Sequence, residues 1–154
     1  MAATKSPAPT RGVRPCKFCE IVAGRDQSFS VYADDFAVAF LDHRPLILGH
    51  VLLIPRAHYQ ALADTPDEVM AALAVRAKRI SSALMRGLDA EGSFIALNNV
   101  VSQSLPHIHF HIVPRRSGDG LFSARLIWKR ASYRNDAQRE AIATKIRAAL
   151  ATAS

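Results

Sequence analysis

The chain is predicted to fold as α+β, with an antiparallel sheet of about five strands, a long helix packed on it and an extra C-terminal helix. Three observations predict this. Short apolar runs at 29–32, 36–41 and 51–54 follow one another with only turns between them. A long amphipathic helix then opens after Thr65. Two further strands, 94–97 and 107–113, precede a final helical pattern, and this element order suits a sheet with helices on one face.

Each element has its own signals. Residues 1–15 are polar and rich in Pro, Ala and Thr, and they read as a disordered tail. Cys16-Lys17-Phe18-Cys19 is a C-x-x-C knuckle, open between redox chemistry, half of a zinc site and chance. The βαβ pattern of a thioredoxin-like motif is missing, and a tetrahedral zinc site needs two further ligands, for which nitrogen donors serve. Asp34-Asp35 turns the first strand into the second, Gly49-His50 leads into the third, and Pro55 ends it. Thr65 is read as a cap, Pro66 as the first helical position and Glu68 as the partner in a capping box. Val69, Met70, Leu73, Ile80, Leu84 and Leu88 then recur at helical spacing, and core packing accounts for them fully. The helix is expected to end at Gly87 or in the turn at 89–92. Residues 121–128 show no period. From Asn135 or Asp136 to Leu150, the spacing of Ala141, Ile142, Ile146 and Leu150 predicts the last helix.

At 154 residues the chain is one domain with room for a real core. The formal charge of +7 favours acidic partners in general. The basic residues are scattered without an aromatic-basic repeat, so nucleic acid is not expected as a partner. No apolar run is long enough to span a membrane, and the first residues lack the apolar core of a signal peptide. Two cysteines are too close and too few for a secreted framework, so a cytoplasmic protein is expected.

The stretch that carries chemistry is His107-Ile108-His109-Phe110-His111-Ile112-Val113. Histidine and apolar residues alternate with the period of a strand, which sends three imidazoles to one face and leaves that face accessible. Pro106 and Pro114 suit its ends. A half-buried strand would explain one such histidine. Three of the chain's six at strict alternation are hard to attribute to packing, because each protonation opposes the next. Neutral imidazoles can attack, shuttle protons, bind metal or hold phosphate oxygens.

This segment resembles the His-φ-His-φ-His-φ-φ signature (φ apolar) of the histidine triad, or HIT, superfamily of nucleotide hydrolases and transferases, of Hint/Fhit-like character. The resemblance runs through the segment from Ala39 to His58 and covers 16–116 as a HIT domain. It leaves 1–15 as a tail and 117–154 as an extension. It implies a HIT-like sheet, and a homodimer with the sheet continued across the interface and Trp128 near the partner. It makes His109 the nucleophile, with His111 donating to the phosphate, and His107 and His50 supporting the imidazoles. Asp42 would hold the ribose hydroxyls, a role suited to a carboxylate facing a diol; as a bare sequence feature it is a turn aspartate before a proline. Asn98, Gln103 and Ser104 match positions that contact the phosphate or orient the leaving group. The usual family loop is glycine-rich, whereas 98–104 contains no glycine. Arg115 and Arg116 end the motif and either meet outer phosphates or lie in water. His43 has no assigned role and reads as an exposed turn residue.

Zinc-containing bacterial relatives place their metal on two such cysteines, a histidine after the central hairpin and the first triad histidine. Here these are Cys16, Cys19, His58 and His107, and the zinc would be structural, since four protein ligands leave no open position. No catalytic cofactor is implied. The expected reaction is hydrolysis at the α-phosphate of a dinucleoside polyphosphate or nucleoside phosphoramidate through a nucleotidyl-histidine, releasing a nucleoside monophosphate. A nucleotidyltransferase or phosphorylase using the same histidine, and a non-enzymatic nucleotide-binding module, are the alternatives. The retained His111 leans toward hydrolase, because glutamine replaces it in some transferase-like relatives.

Overall fold

The computed structural model describes residues 15–123 and 130–152. The tail expected at 1–15 falls almost entirely outside the described residues, and Trp128 lies outside them. The elements run α1 (Lys17–Val22), β1 (Ser30–Ala33), β2 (Ala37–Leu41), β3 (Val51–Pro55), a single 3₁₀ turn (Leu62–Asp64), α2 (Asp67–Gly87), β4 (Gly92–Ala96), β5 (Phe110–Arg115) and α3 (Asp136–Ala151). The sheet order is β1-β2-β3-β5-β4, and every pairing is antiparallel. The α+β reading therefore holds, five strands included. No helix among the described residues is long and apolar enough to cross a membrane.

Every residue of β2 and β3 is buried, because the two central strands are covered on both faces. Ala37, Ala39, Leu41, Val51, Leu53 and Ile112 pack on one face against Leu73, Ala77, Ile80 and Leu84 of α2 and Ile146 of α3. Val38, Phe40, Leu52 and Ile54 make the opposite layer, and Phe18 of α1 closes over them. Asp34 turns β1 into β2 as expected, its Oδ1 accepting from the backbone N–H groups of Phe36 and Ala37 at 2.9 and 2.7 Å.

Three local expectations need correction. Thr65 does not cap α2: its hydroxyl donates to the Ala61 carbonyl at 3.0 Å, closing the 3₁₀ turn, and Pro66 occupies the cap position. The α3 face is broader than expected: Ile146 is buried and Ile142 and Leu150 pack against the core as expected, but Ala141 is exposed while Ala143 and Ala149 are buried, because small residues let α3 approach α2 closely. At that crossing Gly87 is so tight that an added Cβ would lie 2.6 Å from the Lys145 carbonyl oxygen. The third concerns the histidine strand. Regular pairing begins only at Phe110, and Pro114 lies inside β5 opposite Ser93, in a part paired on one side only, where its missing N–H is tolerated.

The extension packs as part of the same core. Tyr133 and Ile146 belong to the main apolar cluster, and Arg147 donates to the Ser30 carbonyl at 2.7 Å.

Candidate active site and metal centre

His107, His109 and His111 approach and enter β5 on the face that carries Leu52, which pairs with His111. That face is closed at His107 and His109, contrary to expectation, and open to a cavity only at His111. His107 and His109 are 0 % and 1 % exposed, because α1 lies across them and the Phe18 ring meets both edge-on at 5.8 and 5.2 Å. Phe18, one residue before Cys19, thus walls the site. Its role was missed in the sequence, although an apolar residue between two candidate ligands is a usable signal.

The hydrogen bonds assign the tautomers. A carbonyl only accepts, so the His109 Nδ1–H donates to the His107 carbonyl at 2.7 Å. Nε2 of His109 then carries the lone pair, and it has no partner among the described residues. Burial holds His109 below the ordinary imidazole value, which keeps that lone pair free of a proton at neutral pH. The backbone N–H of Leu46 donates to His50 Nδ1 at 3.2 Å. His50 Nε2–H therefore donates to His111 Nδ1 at 3.0 Å, and the proton of His111 sits on Nε2, buried and likewise unpartnered. Burial pushes His50 down to about 3 and His111 down to about 4. The result is a bare nitrogen beside an N–H donor on adjacent rings, 4.9 Å apart at their centroids.

Asp42 is buried at the end of β2, beside His50, with Oδ2 3.4 Å from Nδ1. Its Oδ1 accepts from Arg44 N–H at 2.9 Å, so it also holds its own turn. A cavity of ≈ 680 Å³ joins Asp42 and His111 to Phe18, Phe40, Asn98 and Ser104. Gln103 is not among the walls: its amide braces the loop, accepting from Val100 N–H at 2.8 Å and donating to the Gln60 carbonyl at 2.7 Å. Asn99 does similar work, accepting from Leu62 N–H. Val100 and Ser102 take positive φ, 64° and 61°, a region that favours glycine, in a loop that contains none. Arg115 pairs with Asp119, and Arg116 donates to the Leu88 carbonyl. His43 is exposed, as expected.

On the far side of His107 stands the sulfur-nitrogen group. Cys16 opens α1 and Cys19 lies in its first turn, so both thiols face the strand lead-in. Cys16 Sγ is 3.5 Å from His107 Nδ1, and Cys19 Sγ is 3.6 Å from His107 Nδ1 and 3.3 Å from His58 Nδ1. All four ligand atoms lie within 4.8 Å of one another. Metal bonds of 2.0–2.3 Å at the tetrahedral angle require ligand spacings of roughly 3.3–3.8 Å. The donor set fits zinc. The second nitrogen fits too: His107 Nε2–H donates to the Pro55 carbonyl at 3.0 Å, which leaves Nδ1 as a lone pair toward the thiols.

The HIT domain family matches residues 23–118. The chain belongs to the HIT family. A zinc-bound histidine triad family protein of Mycobacterium smegmatis superposes with a TM-score of 0.78 at 39 % identity, over 90 % of this chain and 94 % of that one. An adenylylsulfatase of Arabidopsis thaliana is 32 % identical over 86 % of this chain and 68 % of its own length. An adenosine 5′-monophosphoramidase of Saccharomyces cerevisiae is 34 % identical over 75 % and 72 %. The family match stops at residue 118, before α3, whereas the likeness to the Mycobacterium smegmatis protein extends over 90 % of the chain.

Proposed function

We propose that this HIT protein is a nucleotide hydrolase that cleaves at the α-phosphate of a nucleoside monophosphate bearing a sulfate, polyphosphate or amine substituent. The observation that carries the reading is the tautomer of His109: Nδ1 is tied to the His107 carbonyl, and Nε2 is bare, buried and unprotonated. The relatives that hydrolyse adenylyl sulfate and adenosine phosphoramidate support the substrate class.

His109 Nε2 attacks the α-phosphorus. As the N–P bond forms, the bond to the substituent breaks and its electron pair leaves with the substituent. His111 Nε2–H donates a hydrogen bond to the phosphoryl oxygen or to the bridging atom, and an amine substituent takes a proton from solvent as it leaves. Water then attacks phosphorus and gives its proton to solvent, the N–P bond breaks, His109 recovers its lone pair and the nucleoside monophosphate departs. One water is consumed. Asp42 holds the ribose hydroxyls, while Asn98 and the backbone at Ser104 stabilise the developing charge. Gln103 serves that loop as a brace.

Cys16, Cys19, His58 and His107 would hold zinc, which would supply a structural tether with no open coordination position. That tether would fix α1, and with it Phe18, over His109. β4 is a sheet edge with Ile95 exposed, which supports a homodimer formed by pairing that edge with a second copy.

The test is release of nucleoside monophosphate from adenosine phosphoramidate, adenylyl sulfate and diadenosine tri- and tetraphosphate, with His109→Ala beside the wild type. Release by the wild type alone supports the reading. No release from any substrate by protein that binds AMP contradicts it.

A further inference from the structure

Beyond residues 23–118, which match the HIT domain family, Arg130, Asp136 and Arg139 border the active-site cavity. Arg130 borders the same cavity as Asp42 and His111. Its guanidinium is held in place, since Nη1 donates to the Arg44 carbonyl at 2.7 Å. Arg44 in turn donates its backbone N–H to Asp42, so Arg130 is tied to the turn that carries that carboxylate.

Neither Arg44 nor Arg130 forms an ion pair among the described residues, although both border the cavity. The other arginine on its wall, Arg139, is paired with Asp136. A guanidinium has five N–H donors, and Arg130 uses one of them on Arg44. Arg130 also contributes to the low proton affinity of His50 and His111, which places its charge within electrostatic reach of the N–H that meets substrate. The cavity therefore carries on its wall a tethered cation that pairs with no carboxylate among the described residues, together with a buried imidazole donor without an acceptor.

Such a pair is matched by an anion. In the two reaction branches the substituent on the α-phosphorus differs in charge as it departs. An amine must take up a proton from solvent and then leaves neutral. Sulfate or a nucleotide departs as an anion and needs no proton, only stabilisation of the charge it carries away.

We infer that Arg130, anchored on Arg44, is a specificity-determining residue that favours mixed anhydrides with sulfate or phosphate over phosphoramidates by binding the anionic substituent. The inference rests on the hydrolase reading for its kinetic form, and its binding form stands without turnover.

Two measurements test it. In a His109→Ala background, which leaves substrates intact, AMP and adenylyl sulfate affinities are compared with and without Arg130→Ala. Arg130→Ala is expected to weaken adenylyl sulfate by about 10–100-fold, the worth of one charge-assisted contact, and AMP much less. With His109 present, the ratio of kcat/KM for adenylyl sulfate to that for adenosine phosphoramidate is expected to fall by a similar factor, and Arg130→Lys to recover part of it. Equal weakening of AMP and adenylyl sulfate, or an unchanged ratio in a variant with wild-type melting behaviour, overturns the inference. If the wild type turns over nothing, the hydrolase reading fails, and the binding comparison alone decides the role of Arg130.

Discussion

His50 Nε2 stands 3.0 Å from His111 Nδ1, and that contact decides which nitrogen of His111 carries the proton. With Leu46 N–H donating to the other side of His50, the direction of the whole relay is set by one backbone amide. His50 itself is fully buried and touches no open part of the cavity, so it acts by orienting His111.

Replacing His50 with alanine is therefore expected to lower kcat more than it raises KM, by about 10–100-fold, because His111 loses both its orientation and its tautomer. His50→Gln, whose amide can still donate to His111, should recover part of the loss. Steady-state kinetics separate the two parameters. A pure KM effect would contradict an orienting role.

The sulfur-nitrogen group leads to a prediction about metal. Purified protein should contain one zinc per chain by elemental analysis, and a strong chelator should lower its melting temperature by several degrees. Cys19→Ser should abolish the zinc and lower activity, because α1 and Phe18 are no longer held over His109. Metal-free protein with unchanged stability would contradict the tether.

Stability should fall in acid well before the carboxylates titrate. His50 is held at about 3 and His111 at about 4 by burial, against 6.5 for a free imidazole. Between those values the unfolded chain binds the more protons, so stability is fully present above pH 6.5 and is lost as pH drops toward the folded values. Each ring contributes up to ~1.4 kcal/mol per pH unit in that window. Urea unfolding at pH 7, 6 and 5 measures it; equal free energies across the series would contradict buried neutral rings.

Gly87→Ala tests the α2–α3 crossing. Alanine is the better helix former by ~1 kcal/mol, yet its Cβ would sit 2.6 Å from the Lys145 carbonyl oxygen. Displacing α3 should outweigh the propensity gain and destabilise the protein by about 1–3 kcal/mol. A higher melting temperature in the variant would mean that α3 yields freely.

Much of this was legible from residue pattern alone. Period-two histidine marked the triad because no packing requirement calls for it, and buried apolar runs marked the strands that carry it. What pattern could not reveal was cover. Alternation says that His107, His109 and His111 share a face, but only the fold shows α1 lying on it. The loop at 98–104 was opaque for a different reason. Val100 and Ser102 adopt a backbone region that costs an L-residue about 1–2 kcal/mol, so their identities argue against the path they take. Side-chain braces from Gln103 and Asn99 hold it there. The burial of Ala143 and Ala149 in place of Ala141 and the return of Arg130 to the cavity depend on long-range packing, which helical spacing does not encode.

The central claim is that His109 Nε2 becomes covalently nucleotidylated. Intact-mass spectrometry of protein quenched in base during turnover of adenylyl sulfate or adenosine phosphoramidate measures this directly. The account predicts a species heavier by one adenylyl group, mapped to His109 and absent from His109→Ala. Steady turnover with no adduct under any quench, or an adduct on another residue, would contradict it.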